Sequence, residues 1–285
     1  MLKLELVEAV LARALKGGAD FAEVYAQRAK KRRMKVRQGA LEEALSGLDY
    51  GAGVRLFFGT EVVYAYTNDL TQEGLMEALE TLLRAKGALG KVDEGGKGGL
   101  DFRKATPKGL HAPKVPYGEK DKRYRLERLL EAEAGARIAP AIKQVEASLL
   151  EWEEEVLVAN TEGVFAEEKR VRTRLFVLAV AQDGAEVQTG YSAPGKSVGL
   201  ELFDLYPPKA VGEKAARQAL TNLKARPAPA GTFPVVVGPG FGGVLFHEAV
   251  GHLLETTSVA RKASVLADKL GEVVASPAVT YIDDG

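Results

Sequence analysis

The chain has 285 residues, of which 46% are hydrophobic and 27% are charged, a composition typical of a folded globular protein. Lys plus Arg and Asp plus Glu both number 39, and this zero net charge argues against a polyanion binder that works through bulk charge. Cysteine is absent, which excludes disulfides, thiol nucleophiles and Cys-ligated structural zinc within this sequence. The N-terminus does not resemble a secretory signal, and no apolar run approaches the roughly 20 residues that span a bilayer, so we expect a cytoplasmic protein.

The first 86 residues show two changes of hydrophobic period. Apolar residues spaced by three and four predict a helix over 4–16, which Gly17 and Gly18 end. Alternation in twos over 20–66 predicts an antiparallel meander of strands. A second helix is predicted at about 72–86, with Thr71 as its N-cap.

The middle of the chain repeats this plan after a glycine-rich loop, Gly87 to Gly99, which we interpret as flexible. Helices are predicted at about 119–134 and 209–223, and long strands fill 140–192. His111, in a proline-rich loop, is interpreted as an exposed side chain. This order of elements predicts an α+β domain over 1–225 with antiparallel sheet and packed helices.

The stretch Lys224 to Gly231 is the best candidate linker, and we assign residues 226–285 to the start of a second, β-rich domain.

Seven of the ten residues from Arg28 to Arg37 are basic. Because the whole chain is neutral and Met34 and Val36 alternate with charged residues, we interpret this stretch as a solvated strand or hairpin, and nucleic-acid binding is disfavoured. Glu151 and Glu153–Glu155, which surround Trp152, are candidates to meet the basic stretch across a sheet or across an oligomer contact. The sequence leaves both arrangements open.

Two of the three histidines lie in the segment His247-Glu248-Ala249-Val250-Gly251-His252, an HExxxH pattern. It is one residue longer than the zinc-peptidase motif HExxH, so on a regular helix the two imidazoles would point about 140° apart. A one-residue π-bulge would bring them together, and Gly251 tolerates unusual backbone angles. We therefore predict a helix distorted between Ala249 and Gly251. The alternative is a buried apolar helix that carries two histidines by chance.

If a metal binds, the residue types specify the chemistry. Neutral imidazoles of His247 and His252 suit a borderline ion such as Zn²⁺, which lowers the pKa of bound water. Glu248 is then placed to act as general acid/base in the hydrolysis of an amide.

The glycine-rich run Gly238-Pro239-Gly240-Phe241-Gly242-Gly243 fits the dinucleotide pattern GxGxxG. No acidic residue closes a second strand about 20 residues later, so a tight strand-to-helix turn before the histidine helix is the favoured interpretation.

Several segments resemble the TldD/PmbA family, also known as modulators of DNA gyrase. They are GADFAEVY at 18–25, GLDYGAGVR at 47–55, TFPVVVGPGFGGVLFHEAVGH at 232–252 and VASPAVTYIDDG at 274–285. The resemblance covers nearly the whole chain and implies a zinc-dependent peptidase that acts on unfolded or extended peptides. Such a substrate could add as a strand to an open sheet edge. TldD-type subunits carry HExxxH and their PmbA-type (TldE) partners lack it, which places this chain on the TldD side.

The resemblance implies that His247 and His252 are metal ligands and that Glu248 is the catalytic acid/base. It also implies a homodimer or a heterodimer with a PmbA/TldE-like paralogue, with no membrane partner. The third ligand of the family is a cysteine further along the chain, which this sequence does not contain. Glu255, Asp283 and Asp284 are substitute candidates.

We therefore expect residues 1–285 to be an N-terminal portion whose third ligand lies beyond Gly285, and which binds zinc weakly or not at all, with its activity in question. The alternative function is a non-catalytic scaffold or interaction subunit of a TldD/PmbA-type complex.

Overall fold

The computed structural model describes residues 1–87, 100–105 and 112–282. The chain divides into two compact units, Met1–Arg226 and Pro227–Gly285, which we call unit 1 and unit 2. His111, Asp283, Asp284 and most of the Gly87–Gly99 loop lie outside the described residues.

The four predicted helices of unit 1 are confirmed, each within three residues at both ends. Thr71 caps the second helix as predicted, because its Oγ1 accepts a hydrogen bond of 3.2 Å from the backbone N–H of Gly74. In the part of the chain that the structure describes, the α-helices are α1 (Leu4–Lys16), α2 (Gln72–Ala85), α3 (Lys122–Gly135), α4 (Leu202–Leu205), α5 (Pro208–Asn222), α6 (Val244–Val250) and α7 (Thr256–Ala260).

The strands form one sheet, in the order β3-β2-β1-β5-β6-β4, and β7 and β8 also pair with β6. All these pairings are antiparallel except that of β4 with β6, so the α+β prediction with an antiparallel sheet is confirmed. The strands are β1 (Phe21–Arg37), β2 (Ala40–Phe58), β3 (Glu61–Thr67), β4 (Arg103–Ala105), β5 (Ile142–Asn160), β6 (Val164–Asp183), β7 (Glu186–Ser192) and β8 (Gly195–Lys196).

Two hydrophobic clusters lie on the same face of this sheet. Alternate residues of β1 point to that face, since Val24 at one end of the strand and Val36 at the other are fully buried. The cluster that contains Val24 includes apolar residues of α1 and α2, and the cluster that contains Val36 includes those of α3 and α5. The opposite face of β1 presents the other alternate residues, among them Lys31 and Arg33.

The basic stretch of β1 lies beside the acidic stretch of β5, which settles the question left open by the sequence. Arg28, Lys30 and Arg32 are in register with Glu155, Glu153 and Glu151, respectively. Cross-strand pairs of opposite charge stabilise a sheet. These two runs therefore help to pair β1 with β5, whose paired residues here lie more than 100 positions apart in the sequence.

A buried ion pair joins α3 to the centre of the sheet. Arg125 is 7% exposed and donates to both carboxylate oxygens of Glu151, at 2.5 and 3.2 Å. It also donates to the backbone carbonyls of Tyr117 and Asp121, at 2.7 and 2.9 Å. Because the guanidinium is almost fully hydrogen-bonded, this pair fixes the 117–121 turn against the strands.

Unit 2 lacks the strand that was expected before its glycine turn. The apolar residues 232–237 are not hydrogen-bonded to another strand, and residues 227–282 contain no strand. A strand requires a neighbour to satisfy its backbone groups, and none lies within the described part of this unit. That these residues begin a second, β-rich domain stays a prediction. Across the described ranges, none of the helices has the length and apolar character that crossing a membrane requires.

Candidate metal centre

The segment that carries the HExxxH pattern is a short helix that breaks in its middle. Helix α6 ends at Val250, whose backbone has φ −130° and ψ −42°, and a 3₁₀ turn follows over Gly251–Leu254. The predicted distortion between Ala249 and Gly251 is therefore confirmed, and it lies at Val250. Its form is not the predicted π-bulge, because the chain tightens into a 3₁₀ turn instead of widening, and the described residues contain no π turn.

The break brings the two imidazoles to the same side. The ring centroids of His247 and His252 lie 4.6 Å apart, edge to face at 66°. Nε2 of His252 lies 3.4 Å from Oε2 of Glu248. One potential ligand atom from each of His247, Glu248 and His252 lies within 4.8 Å of the other two, and all three residues are exposed.

Glu255 controls the orientation of the second histidine. Its Oε1 lies 2.7 Å from Nδ1 of His252, so the other ring nitrogen, Nε2, is the one that faces Glu248. This hydrogen bond, aided by the charge of Glu255, raises the pKa of His252. A carboxylate on the far nitrogen of a ligating histidine fixes the tautomer and the ring direction. Glu255, considered above as a substitute third ligand, occupies this outer position in the structure.

Gly251 is required for space and not for backbone freedom. Its φ of −55° and ψ of −50° are ordinary helical angles, so the reason predicted from the sequence is wrong. A Cβ at this position would lie 3.0 Å from Nδ1 of His247 and 2.9 Å from the hydroxyl oxygen of Tyr281. The missing side chain therefore leaves room for the first histidine to lie against the turn.

The sequence did not predict two residues that lie beside the His247–Glu248–His252 cluster. Ser264 is 8% exposed, donates to the carbonyl of Leu253 at 2.6 Å and accepts from the N–H of Leu266 at 3.0 Å, which secures the turn after His252. Tyr281 lies beside Gly251, 30 residues further along the chain. Neither has a spacing signal in the sequence, because both approach through the folding of the segment after the motif.

The glycine-rich run before α6 forms the tight turn that was predicted. Gly240 has φ +97°, a conformation that glycine tolerates best, and its carbonyl accepts a 3.0 Å hydrogen bond from the N–H of Gly243. The 3₁₀ turn Phe241–Gly243 then leads directly into α6.

The donor atoms suit a borderline divalent ion. Two imidazole nitrogens and a nearby carboxylate oxygen are the groups that bind zinc and its neighbours in the first transition row. The imidazoles converge on one side of the turn, and the outer carboxylate of Glu255 is in place. The described residues thus fit two ligands and their orienting group, while catalytic zinc usually takes three protein ligands.

Comparison with protein families defines the class to which this fold and cluster belong. Residues 22–86 match the PmbA/TldA metallopeptidase domain 1, residues 113–223 the central domain and residues 230–285 the C-terminal domain. The chain belongs to the PmbA/TldD metallopeptidase family, and the resemblance inferred from its sequence is confirmed.

Named relatives agree with this assignment. A metalloprotease TldD homolog of Haemophilus influenzae is 33% identical over 276 residues, which is 93% of this chain and 56% of the relative. A metalloprotease of Methanothermobacter thermautotrophicus is 30% identical over 266 residues, 93% of this chain and 57% of the relative. The chain therefore spans little more than half the length of these relatives.

Solved structures share the fold at lower sequence identity. A proposed modulator of DNA gyrase from Bacteroides thetaiotaomicron has a TM-score of 0.75 at 19% identity, covering 97% of this chain and 63% of that one. TldE from Thermococcus kodakarensis has a TM-score of 0.67 at 17% identity, covering 93% and 58%. At these identities the similarity establishes the fold alone.

Proposed function

We propose that this protein is a TldD-type zinc peptidase subunit that hydrolyses unfolded or extended peptides. The observation that carries the proposal is the convergence of His247, Glu248 and His252, whose potential ligand atoms lie within 4.8 Å of one another. The relatives named as metalloproteases support a metal-dependent peptidase of the same kind.

Each residue of the cluster has a distinct role in this proposal. His247 and His252 hold the ion through imidazole nitrogens, and Glu255 keeps Nε2 of His252 directed inward. When bound, zinc polarises the scissile carbonyl and lowers the pKa of a coordinated water toward about 7. Glu248 takes a proton from the attacking water at a carboxylate oxygen and later donates it to the leaving amine.

The remaining ligand is proposed to come from sequence beyond residue 285. The described residues near the cluster supply two imidazoles, and the carboxylate of Glu255 is engaged with Nδ1 of His252. We therefore expect residues 1–285 to bind zinc weakly, and to cleave peptides slowly if at all, until that ligand is present.

The proposed partner is either a second copy or a PmbA/TldE-like paralogue. The fold shared with TldE from Thermococcus kodakarensis supports a pair of similar subunits. Light scattering of the chain alone and after mixing with such a paralogue measures the mass of each assembly, and a monomer in both samples would rule the pairing out.

Zinc binding and peptide cleavage test the proposal together. The affinity for Zn²⁺ is measured by competition with a chromophoric chelator, for the wild-type chain, for His247→Ala and for Glu248→Gln. We expect His247→Ala to lower zinc affinity by at least tenfold, while Glu248→Gln retains it, because only the histidine is a proposed ligand.

Cleavage of an unfolded peptide, followed by mass spectrometry, supplies the second readout. We expect any zinc-dependent cleavage to fall at least a hundredfold in Glu248→Gln, since a general acid/base contributes about 10²–10⁴ to the rate. Glu272→Gln is the matched control, because Glu272 is an exposed carboxylate of unit 2 paired with Lys269. Zinc affinity unchanged in His247→Ala would exclude the metal site, and cleavage unchanged in Glu248→Gln would leave only a scaffold function.

A further inference from the structure

A large cavity lies on the face of the sheet opposite the two hydrophobic clusters, wholly within unit 1. Its volume is about 970 Å³, at the upper end of the range of ligand-binding pockets. The lining comes from β1, β2, β5 and β6 and from the segment 193–197. The basic side chains of its lining are Lys31, Arg33, Arg172, Arg174 and Lys196; Arg32 also borders it, but its side chain lies on the other face, 3.5 Å from Glu151.

Strand register arranges this lining as two parallel rows across the sheet. The rows are Lys31–Trp152–Arg172 and Arg33–Leu150–Arg174. Neighbouring strands lie about 4.8 Å apart and alternate residues of a strand about 6.8 Å apart. Two apolar side chains of β5 therefore form a central column, and a pair of cations flanks it on each side.

Three of the five basic side chains of the lining have no acidic partner among the described residues. Among the described lining residues the one acidic side chain is Glu151, which is 2% exposed and points to the other face, where it binds Arg125. Arg172, Arg174 and Lys196 are exposed and make no ion pair with any described residue.

Lys31 and Arg33 each have one acidic neighbour on β2, at 3.5 and 3.4 Å. In a chain of zero net charge, this concentration of cations in one concave surface focuses a positive potential that attracts anions.

Apolar surface inside the cavity restricts the class of anion. Leu45 is 61% exposed and Leu150 is 41% exposed, so a ligand with apolar groups would bury both. Trp152 is the aromatic residue of the lining, and its ring already contacts Nζ of Lys31 at 4.5 Å and the guanidinium of Arg172 at 5.7 Å. Single-stranded nucleic acid binds by stacking bases on open aromatic rings, which this arrangement does not offer.

We propose that this cavity is a docking site for acidic peptide segments in which Asp or Glu residues are interspersed with apolar ones. Carboxylates of the peptide pair with the flanking arginines, which present two donors in the geometry that carboxylates prefer. Apolar side chains of the peptide contact the Leu150–Trp152 column. All of its lining residues belong to unit 1, so its test does not depend on the proposed metal centre.

Fluorescence polarisation tests the proposal with a fluorescein-labelled peptide of mixed Glu and Leu, titrated with the full chain in EDTA so that no metal-dependent cleavage intervenes. We expect Arg172→Gln/Arg174→Gln to weaken binding about five- to tenfold, because each exposed charge pair contributes a modest amount. Lys209→Gln/Lys214→Gln is the matched control. It removes two exposed lysines of α5 that make no ion pair with any described residue, and it should bind like the wild type.

Two further measurements distinguish charge from apolar contact as the source of peptide affinity. A peptide with Gln in place of Glu should bind at least tenfold more weakly, and Leu150→Gln should weaken binding of the Glu peptide about threefold, because an apolar contact is lost. Unchanged affinity in Arg172→Gln/Arg174→Gln, at an unchanged melting temperature, would overturn the proposal. Equal binding of the Gln peptide would also do so, and an oligo-dT that binds more tightly than the Glu peptide would make the cavity a nucleic-acid site.

Discussion

Gly251→Ala tests whether open space beside His247 is what the metal centre requires of this glycine. The added Cβ would lie 3.0 Å from Nδ1 of His247 and 2.9 Å from the hydroxyl of Tyr281, whereas ordinary contacts begin at about 3.4 Å. Both contacts are therefore too close, by about 0.4 Å at the imidazole and about 0.5 Å at the hydroxyl. Metal–ligand distances tolerate about 0.2 Å, so displacement of the imidazole is enough to disturb binding.

The expected magnitude is a loss of zinc affinity between about tenfold and a hundredfold, the range seen when groups that orient a ligand are altered. Folding should not suffer, because Gly251 has helical backbone angles and alanine is favoured over glycine there by roughly 0.5–1 kcal/mol. Reduced zinc affinity at an unchanged or slightly raised stability is therefore the signature of this variant.

The assay pairs chelator competition for Zn²⁺ with an NMR spectrum of the histidine rings in the metal-free chain. Gly243→Ala is the matched control, because Gly243 is also helical and a Cβ added there would meet no atom within 4 Å outside its own stretch of chain. We expect the ring signals of His247 to shift in Gly251→Ala and to stay in place in Gly243→Ala. Identical ring signals in Gly251→Ala and the wild type would refute the argument from space.

Three further predictions concern charged and titrating groups. Glu255→Gln should lower the pKa of His252, measured by NMR titration, and should weaken zinc binding about tenfold. A pKa of His252 that stays raised in this variant would contradict the orienting role of the carboxylate. Arg125→Met removes both hydrogen bonds from Arg125 to the buried carboxylate of Glu151 and leaves it Arg32, at 3.5 Å, so it should cost about 3 kcal/mol in urea unfolding. Arg123→Met, at a side chain 84% exposed, should cost less than about 0.5 kcal/mol. Burial raises the pKa of Tyr117 from 10.0 to about 12, so between these pH values the folded state keeps a proton that the unfolded state loses. The free energy of unfolding should therefore be unaffected by this group below pH 10 and should fall by up to about 3 kcal/mol as the pH rises through 12. Tyr117→Phe should lack that fall.

Local signals in the sequence determined the helices and the meander of unit 1. Helix α1 begins at Leu4 and ends at Lys16 as its apolar spacing and the following glycines predict, and Thr71 caps α2. These features depend on residues within a few positions of one another, so helix caps and hydrophobic spacing can be recognised in one short segment of the sequence. The HExxxH pattern is local in the same sense, so the cluster and the need for a break in its helix were both predictable.

Only the tertiary structure decided how distant segments meet. The basic run of β1 and the acidic run of β5 were evident as charges, but their register, Arg32 beside Glu151, depends on a sheet that joins segments more than 100 residues apart. The cationic cavity follows from that register, because side chains of β1, β5 and β6 share a face only after pairing.

At the proposed metal centre, the sequence predicted which residues would come together, and the fold decided what surrounds them. The contacts of Gly251 with His247 and Tyr281, and of Ser264 with Leu253, arise when the chain after the motif turns back on it. Van der Waals contact and hydrogen bonding act through space over a few ångströms, so residues that are distant in the sequence give no sign of them until the backbone brings them together.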